Sequence, residues 1–345
     1  MDIITLTDRE ANDYTRFLLE SEHSLFFQSD TFRKLIKKYT EEADKYLLAL
    51  ENNRIISALP LFIKQSPLGN CINSLPFFGS NGGIIEYNND LHVKKALIKE
   101  LHKVAMENKC VSATIITSPF ENNYALYKNV LEFDREVIRV GQITTLHEPN
   151  TLLDSFHYKT RNSIKKALKS NLKVEVDNSQ EAFDFLISEH IVGMQKIEAN
   201  AKNAIFFMNV INLCKAGLDY NIYVASQDNN KISALLLFYF NKTVEYFTPV
   251  TKEEFRTLQP MSLLICKAMN DAFCNGYKYW NWGGTQTWQT GVYNFKKRWG
   301  TKNYNYHYLT KIYDVKIKKY SRNEIAENYP YFFLLPFDSL DECVN

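Results

Sequence analysis

The chain has 345 residues, of which 45% are apolar and 23% are charged, and its formal net charge at neutral pH is only +2. This length exceeds what one hydrophobic core usually supports, so two domains are expected. So small a net charge gives no global field for nucleic acid, and any basic feature that matters must be local.

Neither the start of the chain nor its most apolar run has the pattern of a targeting or membrane segment. Residues 1–13 are acidic and lack a central apolar stretch, which argues against a secretory signal. The run from Ala234 to Phe240 is too short to span a bilayer. We therefore expect a cytoplasmic protein without stable membrane insertion.

The cysteines and histidines give no sign of a metal site. The six cysteines form no CxxC pair, and the seven histidines form no HxxxH pair. We therefore expect neither a disulfide framework nor bound zinc, and a metal-dependent mechanism has little support.

A basic helix is predicted near the N-terminus, with Asp30 as its N-cap. Its predicted core face consists of Phe32, Leu35, Ile36 and Tyr39. The basic side chains left outside are Arg33, Lys34, Lys37 and Lys38. A solvated face is the ordinary explanation of such a pattern.

The segment Leu75 to Ile84, LPFFGSNGGI, is a glycine-rich turn. It is not a P-loop, because the terminal Lys-Ser/Thr pair is missing, and it does not match GxGxxG. Gly79, Gly82 and Gly83 can serve simply as turn residues.

One unit occurs twice in the chain. Leu50 to Phe62, LENNRIISALPLF, and Ser226 to Phe238, SQDNNKISALLLF, are each a polar turn entering the same apolar strand, so each predicts a β-hairpin. A helix and a strand follow each hairpin, and two helices precede each. This order predicts an α/β duplication with domains at 1–150 and 151–345.

The second domain opens with a basic helix. From His157 to Lys173 there are seven basic residues and no acidic one, and Phe156, Ile164 and Leu168 form an apolar stripe. Neighbouring like charges destabilise an isolated helix, so an anionic ligand would explain the pattern. A solvated face and binding to RNA or an anionic surface are the other two explanations.

The strand Thr243 to Thr248 carries Glu245, which is either an ordinary polar residue on a half-exposed strand or a group that takes a proton. Further on, RTLQPM places Arg256 before the next helix, and Pro260 fits the first position of that helix.

The segment from Gly276 to Gly300 carries the most information. Tyr277 to Trp282 alternates as a strand, which Gly283 and Gly284 are predicted to end. A polar loop then leads to a helix capped by Thr290, with Gly300 at its C′ position, and this helix brings basic residues near the strand end. The pattern indicates an anion site, although basic residues in a last helical turn also occur without a ligand.

The strand ending in Gly-Gly, followed by Phe-Lys and an aromatic-Gly pair, resembles the C-terminal signature of the FemAB-like branch of the GNAT acyltransferase superfamily. The tandem arrangement, the Gln-Ser-aromatic-Lys start of the first basic helix and the Lys-x-Arg start of the second also resemble this family. The resemblance implies two GNAT-like domains of α/β (α+β) class, each with a mixed, mostly antiparallel sheet flanked by helices.

The resemblance also implies roles for individual residues. A lysine, Lys34 or Lys37, would contact a diphosphate, Arg161 would bind substrate phosphate, and Gly79 and Gly83 would line the substrate cleft. Glu245 would act as the base, with Lys296 near the reacting carbonyl. The residues expected to shape the pocket are Asn281, Trp282, Gln286 and Phe295. Arg256 fits the pyrophosphate loop of coenzyme A enzymes, but Gln259 and Met261 stand where that loop has small residues.

These features together predict an enzyme that acylates or aminoacylates an amino group on a phosphorylated carbohydrate precursor. The donor is expected to be acyl-coenzyme A or an aminoacyl-tRNA. The acceptor would be a nucleotide-linked amino-sugar or a peptidoglycan precursor for the cell envelope. The alternatives are a tRNA-dependent transferase that forms peptidoglycan bridges and a non-catalytic protein that binds RNA or an anionic surface. No role for DNA is expected.

Overall fold

The computed structural model describes residues 1–77, 80–87, 89–286, 288–336 and 340. They form two compact units: Met1–Arg139 with the described residues from Asn305 onward, and Val140–Tyr304. The predicted domains, 1–150 and 151–345, differ from these units at both boundaries. The C-terminal residues join the first unit because their strand pairs with a strand of that unit, Tyr308 lying opposite Ile116.

The strands, in chain order, are β1 (Asp2–Thr5), β2 (Ala43–Asp44), β3 (Leu47–Glu51), β4 (Arg54–Leu59), β5 (Phe62–Lys64), β6 (Asn70–Asn73), β7 (Ile85–Glu86), β8 (Cys110–Ile116), β9 (Arg135–Thr145), β10 (Lys173–Val176), β11 (Tyr220–Gln227), β12 (Asn230–Phe240), β13 (Thr243–Thr251), β14 (Tyr279–Thr285) and β15 (Lys302–Ile312). The α-helices are α1 (Ala11–Glu20), α2 (Asp30–Thr40), α3 (Leu91–Glu107), α4 (Tyr124–Leu126), α5 (Pro149–Ser155), α6 (Tyr158–Leu168), α7 (Gln180–Lys196), α8 (Ala204–Leu213), α9 (Pro260–Cys274), α10 (Thr290–Lys297) and α11 (Arg322–Asn328).

The first unit contains a small sheet of order β1-β3-β4-β7 and a second run of strands, β2-β5-β6-β8-β15, next to the start of β9. Its core forms around α3, where Leu97, Ile98 and Leu101 pack against Ala113 and Ile115 of β8. The second unit has the order β10-β11-β12-β13-β14, followed by the end of β9. Its core forms around α9 and includes three buried tryptophans. Antiparallel and mixed sheets flanked by helices confirm the predicted fold class.

The predicted duplication is visible in the local geometry of both units. The hairpin β3–β4 turns at Asn52 and Asn53, and the hairpin β11–β12 turns at Asp228 and Asn229; all four residues have positive φ. Two consecutive left-handed residues match the twist of the flanking strands in a two-residue hairpin. Each unit then pairs two strands in parallel, β6 with β8 and β13 with β14, and a long helix connects each pair.

Several local predictions need correction. The N-cap of α2 is Ser29, which accepts a hydrogen bond from Phe32, and Asp30 is instead the first helical residue. Arg33, predicted to be outside, is only 4% exposed. Its guanidinium binds Asp30, Asp44 and Asp8, so three carboxylates from separate segments compensate the buried charge.

The two basic segments of the second unit also differ in detail from their predictions. The segment around 157 divides into α5 and α6, and Leu168, predicted to lie on the apolar stripe, is 65% exposed, with Ala167 buried instead. Gly283 and Gly284 do not end β14, which continues to Thr285. Gly300 is not the C′ residue, because α10 ends at Lys297 and its C-cap is Arg298.

Within the described ranges, no helix has the length and apolarity needed to cross a membrane. The same residues contain no group of three or more His, Cys, Asp or Glu side chains that could hold a metal ion.

Candidate active site

The candidate site lies where two parallel strands of the second unit separate. β13 and β14 are paired at three positions, the last joining Glu245 and Asn281. Over the described residues that follow, β13 continues to Thr251 paired with β12 alone, and β14 continues to Thr285 paired with β9. The facing edges of the two strands therefore carry backbone N–H and C=O groups that can receive an extended ligand.

Glu245 lies at the point of separation and is 1% exposed. Its Oε1 and the Nδ2 of Asn281 are both buried without a hydrogen-bond partner among the described residues. Burial raises the pKa of the Glu245 carboxyl to about 8, against the opposing effect of the Asn281 amide. A buried carboxyl with an unpartnered oxygen and a pKa near neutrality is suited to accept a proton.

Lys296 lies at the end of β14. It extends from α10 to the strand, where Nζ donates to Thr285 Oγ1 at 2.9 Å, to the Gly284 carbonyl at 3.1 Å and to the Gly283 carbonyl at 3.4 Å. Gly283 has φ +69, and the β14–β9 register shifts between Asn281 and Gly284. The two glycines thus turn their carbonyls out of the ladder and towards Lys296. The ammonium group holds these carbonyls, and β14 continues through both glycines to Thr285.

The Lys296 side chain is buried, and no acidic partner accompanies it in the part of the chain that the structure describes. Burial lowers its pKa to about 8. When protonated, it holds the strand end in place through these three acceptors.

Aromatic rings support this corner of the unit. Trp282 is buried, donates from Nε1 to Thr144 Oγ1 at 3.0 Å and packs against Phe295 and Trp299. It therefore lies beneath the site and positions Phe295, which is partly exposed. Gln286 accepts from Trp288 Nε1 at 2.8 Å at the start of the loop that follows β14.

A groove of about 340 Å³ lies beside the end of β13. Its lining residues are Pro249, Val250, Thr251, Arg256, Gln259, Pro260, Met261, Ser262 and Phe295. Gln259, the N-cap of α9, is left-handed and makes no side-chain cap, with Pro260 at the first helical position. The start of α9 and the exposed guanidinium of Arg256 therefore both give the groove a positive potential.

The sequence analysis missed Lys202. This side chain lies between α7 and α8 with Nζ 4.8 Å above the ring of Phe247 on β13, two residues beyond Glu245. Burial lowers its pKa to about 8, and it has no acidic partner within the described ranges. A lysine desolvated by a ring from another element has no local sequence signal that could reveal it.

Arg161, predicted to bind phosphate, instead interacts with its own chain. Its guanidinium donates to the carbonyls of Asp154, at 3.1 Å, and of Phe156, both at the C-terminal end of α5. A cation on the last carbonyls of a helix stabilises that end.

In the first unit, Lys34 and Lys37 both form ion pairs. Lys34 Nζ lies 2.8 Å from Asp30, and Lys37 Nζ lies 2.6 Å from Asp44. Both lysines therefore border the carboxylates that hold Arg33, and both remain about half exposed.

Gly83 packs against the carboxylate of Glu121, and Gly79 lies outside the described residues. Gly83 has φ +101, and a Cβ there would come within 2.0 Å of Glu121 Oε2. Glu121 accepts from the backbone N–H of Ser118 and Ile84 and from Tyr127. Burial raises its pKa to about 7. In this structure Gly83 therefore permits a close contact within the first unit.

Comparison with known proteins agrees with this geometry. Residues 154–297 match the family model described as acetyltransferase (GNAT) domain. This part of the chain contains Glu245, Lys296 and the groove. No curated protein matches the sequence.

Solved structures share the fold over nearly the whole chain. The crystal structure of FemX has a TM-score of 0.74 at 15% identity, covering 90% of this chain and 97% of that one. A tandem GNAT protein from the clavulanic acid biosynthesis pathway has a TM-score of 0.55 at 10% identity, covering 90% and 97%. The C-terminal domain of a putative lysylphosphatidylglycerol synthetase from Agrobacterium fabrum has a TM-score of 0.57 at 11% identity, covering 87% and 91%.

The family match and the tandem fold confirm the predicted resemblance to FemAB-like proteins and the predicted class of enzyme. The chain is an N-acyltransferase, with the GNAT domain match at residues 154–297.

Proposed function

We propose that this enzyme transfers an acyl or aminoacyl group to an amino group of a phosphorylated carbohydrate precursor in the cytoplasm. The acceptor would be a nucleotide-linked amino-sugar or a peptidoglycan precursor, and the product would serve cell-envelope polysaccharide synthesis. The observation that carries the proposal is the buried, unpartnered carboxyl oxygen of Glu245 at the point where β13 and β14 separate.

In the proposed reaction, the neutral amine of the acceptor attacks the carbonyl carbon of the donor. The new C–N bond forms while Glu245 Oε1 accepts a proton from the nitrogen, and the leaving group departs with the electrons of its bond to carbon. The Asn281 amide, which has an unpartnered Nδ2, would orient the amine or the carboxylate. The Lys296 charge favours the transient oxyanion through the end of β14.

The groove beside β13 is the proposed donor site. Arg256 and the start of α9 would attract a phosphate, and Phe295 offers a ring against which a flat group can pack. Both acyl-coenzyme A and the 3′ end of an aminoacyl-tRNA combine phosphates with a flat base. Gln259, whose backbone is left-handed, and Met261 occupy positions where small residues would give a coenzyme A pyrophosphate closer access to the backbone. Their side chains therefore favour the tRNA donor. The similarity in fold to FemX and to a lysylphosphatidylglycerol synthetase domain also supports aminoacyl transfer.

The anionic part of the acceptor would meet cations on the sheet face that carries Glu245. Lys202 is suited to this role, because it lies beside Phe247 on the same strand and has no acidic partner in the described structure. Arg161 would have to release the carbonyls of Asp154 and Phe156 to bind a phosphate. The contact of Lys34 or Lys37 with a diphosphate stays a prediction for the first unit by itself, where both side chains are partly exposed.

A thermal-shift screen followed by product analysis tests the proposal. UDP-linked amino-sugars, peptidoglycan precursors, coenzyme A and acetyl-coenzyme A would be screened, because a ligand that binds the native state raises its melting temperature. Amide formation would then be followed by mass spectrometry with acyl-coenzyme A or a charged tRNA as donor. Product with acetyl-coenzyme A alone would retire the tRNA donor. Absence of both stabilisation and product across the panel would favour the non-catalytic alternative.

A further inference from the structure

One surface of the second unit carries positive charge that no carboxylate balances. Its members are exposed cations on α6 and at the end of α10, and within the described residues none of them pairs with an acid: Lys159, Lys165, Lys166, Lys169, Lys297 and Arg298. The two helices meet, because the backbone N–H of His157 donates to the Arg298 carbonyl at 2.9 Å. Lysines with a carboxylate partner occur elsewhere in the described residues, for example Lys34 and Lys37 on α2 and Lys94 and Lys103 on α3, whereas none of these six cations has one.

Large apolar side chains are also exposed on these two helices and just before α10. Trp288 is 70% exposed in the loop before α10, Val292 is exposed on α10, and Leu168 and Tyr158 are exposed at the two ends of α6. Large apolar side chains exposed in the same segments as the unpaired cations suit an interaction surface.

We propose that this surface, formed by α6, Trp288 and α10, binds anionic lipid bilayers peripherally. The unpaired lysines would attract the acidic headgroups, each contributing a similar increment near the surface. Trp288 and Tyr158 have the amphipathic rings that favour the interfacial layer, and Leu168 and Val292 would enter its apolar edge. RNA would also be attracted by the charge, and the rings of Trp288 and Tyr158 could stack on its bases, but the aliphatic side chains of Leu168 and Val292 gain nothing from RNA. The aliphatic members therefore favour lipid.

Binding would place the loop after β14, and with it the strand end held by Lys296, next to the membrane surface. The proposal does not rest on the proposed reaction, because binding is measured without donor or acceptor. It remains testable even if the enzyme has an acceptor of another kind.

The experiment is co-sedimentation of the whole chain with vesicles of pure phosphatidylcholine and with vesicles containing one quarter phosphatidylglycerol. We expect binding to the second kind only, weakened by salt. The double variant Lys165→Glu/Lys169→Glu should bind at least tenfold more weakly. Its matched control is Lys95→Glu/Lys99→Glu on α3, which changes two exposed lysines at the same spacing and should bind like the wild type.

Trp288 provides an independent readout, because the other three tryptophans are at most 2% exposed. Acrylamide should quench Trp288 in solution, and anionic vesicles should protect it and shift its emission to shorter wavelength. Equal binding to both vesicle types, unchanged quenching with vesicles, or an unaffected double variant would each overturn the proposal. Absence of vesicle binding together with salt-dependent binding of an arbitrary RNA would overturn it in favour of nucleic acid.

Discussion

Glu245 and Asn281 face each other at the last paired position of β13 and β14, and each has a buried polar atom without a partner in the described structure. A carboxyl in this position is protonated over much of the physiological range, because its pKa is raised to about 8. The pair is thus arranged to receive a ligand that brings the missing hydrogen bonds.

The pH dependence of the reaction follows from this carboxyl. The base must be ionised to accept a proton, so the rate should rise as the pH increases towards about 8. Glu245→Gln removes the group, and it should lower kcat by about 10²- to 10⁴-fold and flatten the rising limb. The measurement is a pH–rate profile at saturating substrates. If the variant kept the rising limb of the pH–rate profile, that limb would belong to a titratable group other than Glu245.

The same variant has an expected signature in stability. Because the folded-state pKa of Glu245 is raised, its contribution to stability is present at pH below the ordinary carboxyl value and is lost as the pH rises through about 8. The melting temperature of Glu245→Gln minus that of the wild type should therefore increase as the pH rises from 5 to 9. A constant difference across this range would mean that the carboxyl titrates normally.

Lys296 is expected to matter through its charge and through the strand end. Lys296→Met keeps the length of the side chain but leaves the Gly283 and Gly284 carbonyls without their donor, so kcat should fall by about 10²- to 10³-fold. The rate of the wild type should also decline above about pH 8, where the amine loses its proton. Lys296→Arg tests the charge separately. Retention of most of the activity in Lys296→Met would reduce this lysine to a purely structural role.

The parts of the fold that were predictable from the sequence are those that local patterns determine. A helix was predicted after the first hairpin, and α3 (Leu91–Glu107) lies there because its apolar spacing and the Asp90 cap define it. Both hairpins turn within the predicted polar segments, at Asn52 and Asn53 and at Asp228 and Asn229. Lys296 and Glu245 were found through the family signature. By contrast, the burial of Arg33 depends on three acids from separate segments. The environment of Lys202 depends on the Phe247 ring of another element. No spacing rule in the sequence could reveal these two environments.

Gly83 is expected to be irreplaceable by alanine. Gly83→Ala combines a left-handed backbone with a Cβ that would lie 2.0 Å from Glu121 Oε2, so it should destabilise the protein by about 1–3 kcal/mol. Chemical denaturation measures this. The control is Gly193→Ala inside α7, where a Cβ meets nothing within 4 Å and a stabilisation of about 0.5–1 kcal/mol is expected. Similar effects at both positions would contradict the close packing at Glu121.

Lys202 should show opposite effects on stability and on substrate binding. Its pKa is lowered to about 8, so below that pH the protein bears the cost of a desolvated, partly buried cation without an acidic partner among the described residues. Lys202→Met should raise the melting temperature at pH 7 and, if this lysine binds the acceptor, raise KM for a phosphorylated acceptor about tenfold with little change in kcat. Lys202→Arg should keep KM low. A stabilised variant with unchanged KM would exclude the binding role.

The groove beside β13 is expected to bind the donor. Arg256 is exposed and lines the groove with Phe295, so Arg256→Ala and Phe295→Ala should raise KM for the donor and leave KM for the acceptor unchanged. A phosphate contact adds to the salt dependence of binding, so Arg256→Ala should reduce the slope by about one unit if the donor is a tRNA. Lys95→Ala, an exposed cation on α3, serves as the control. If both groove variants raise KM for the acceptor instead, donor and acceptor sites are reversed, and Lys202 becomes the residue to test against the donor.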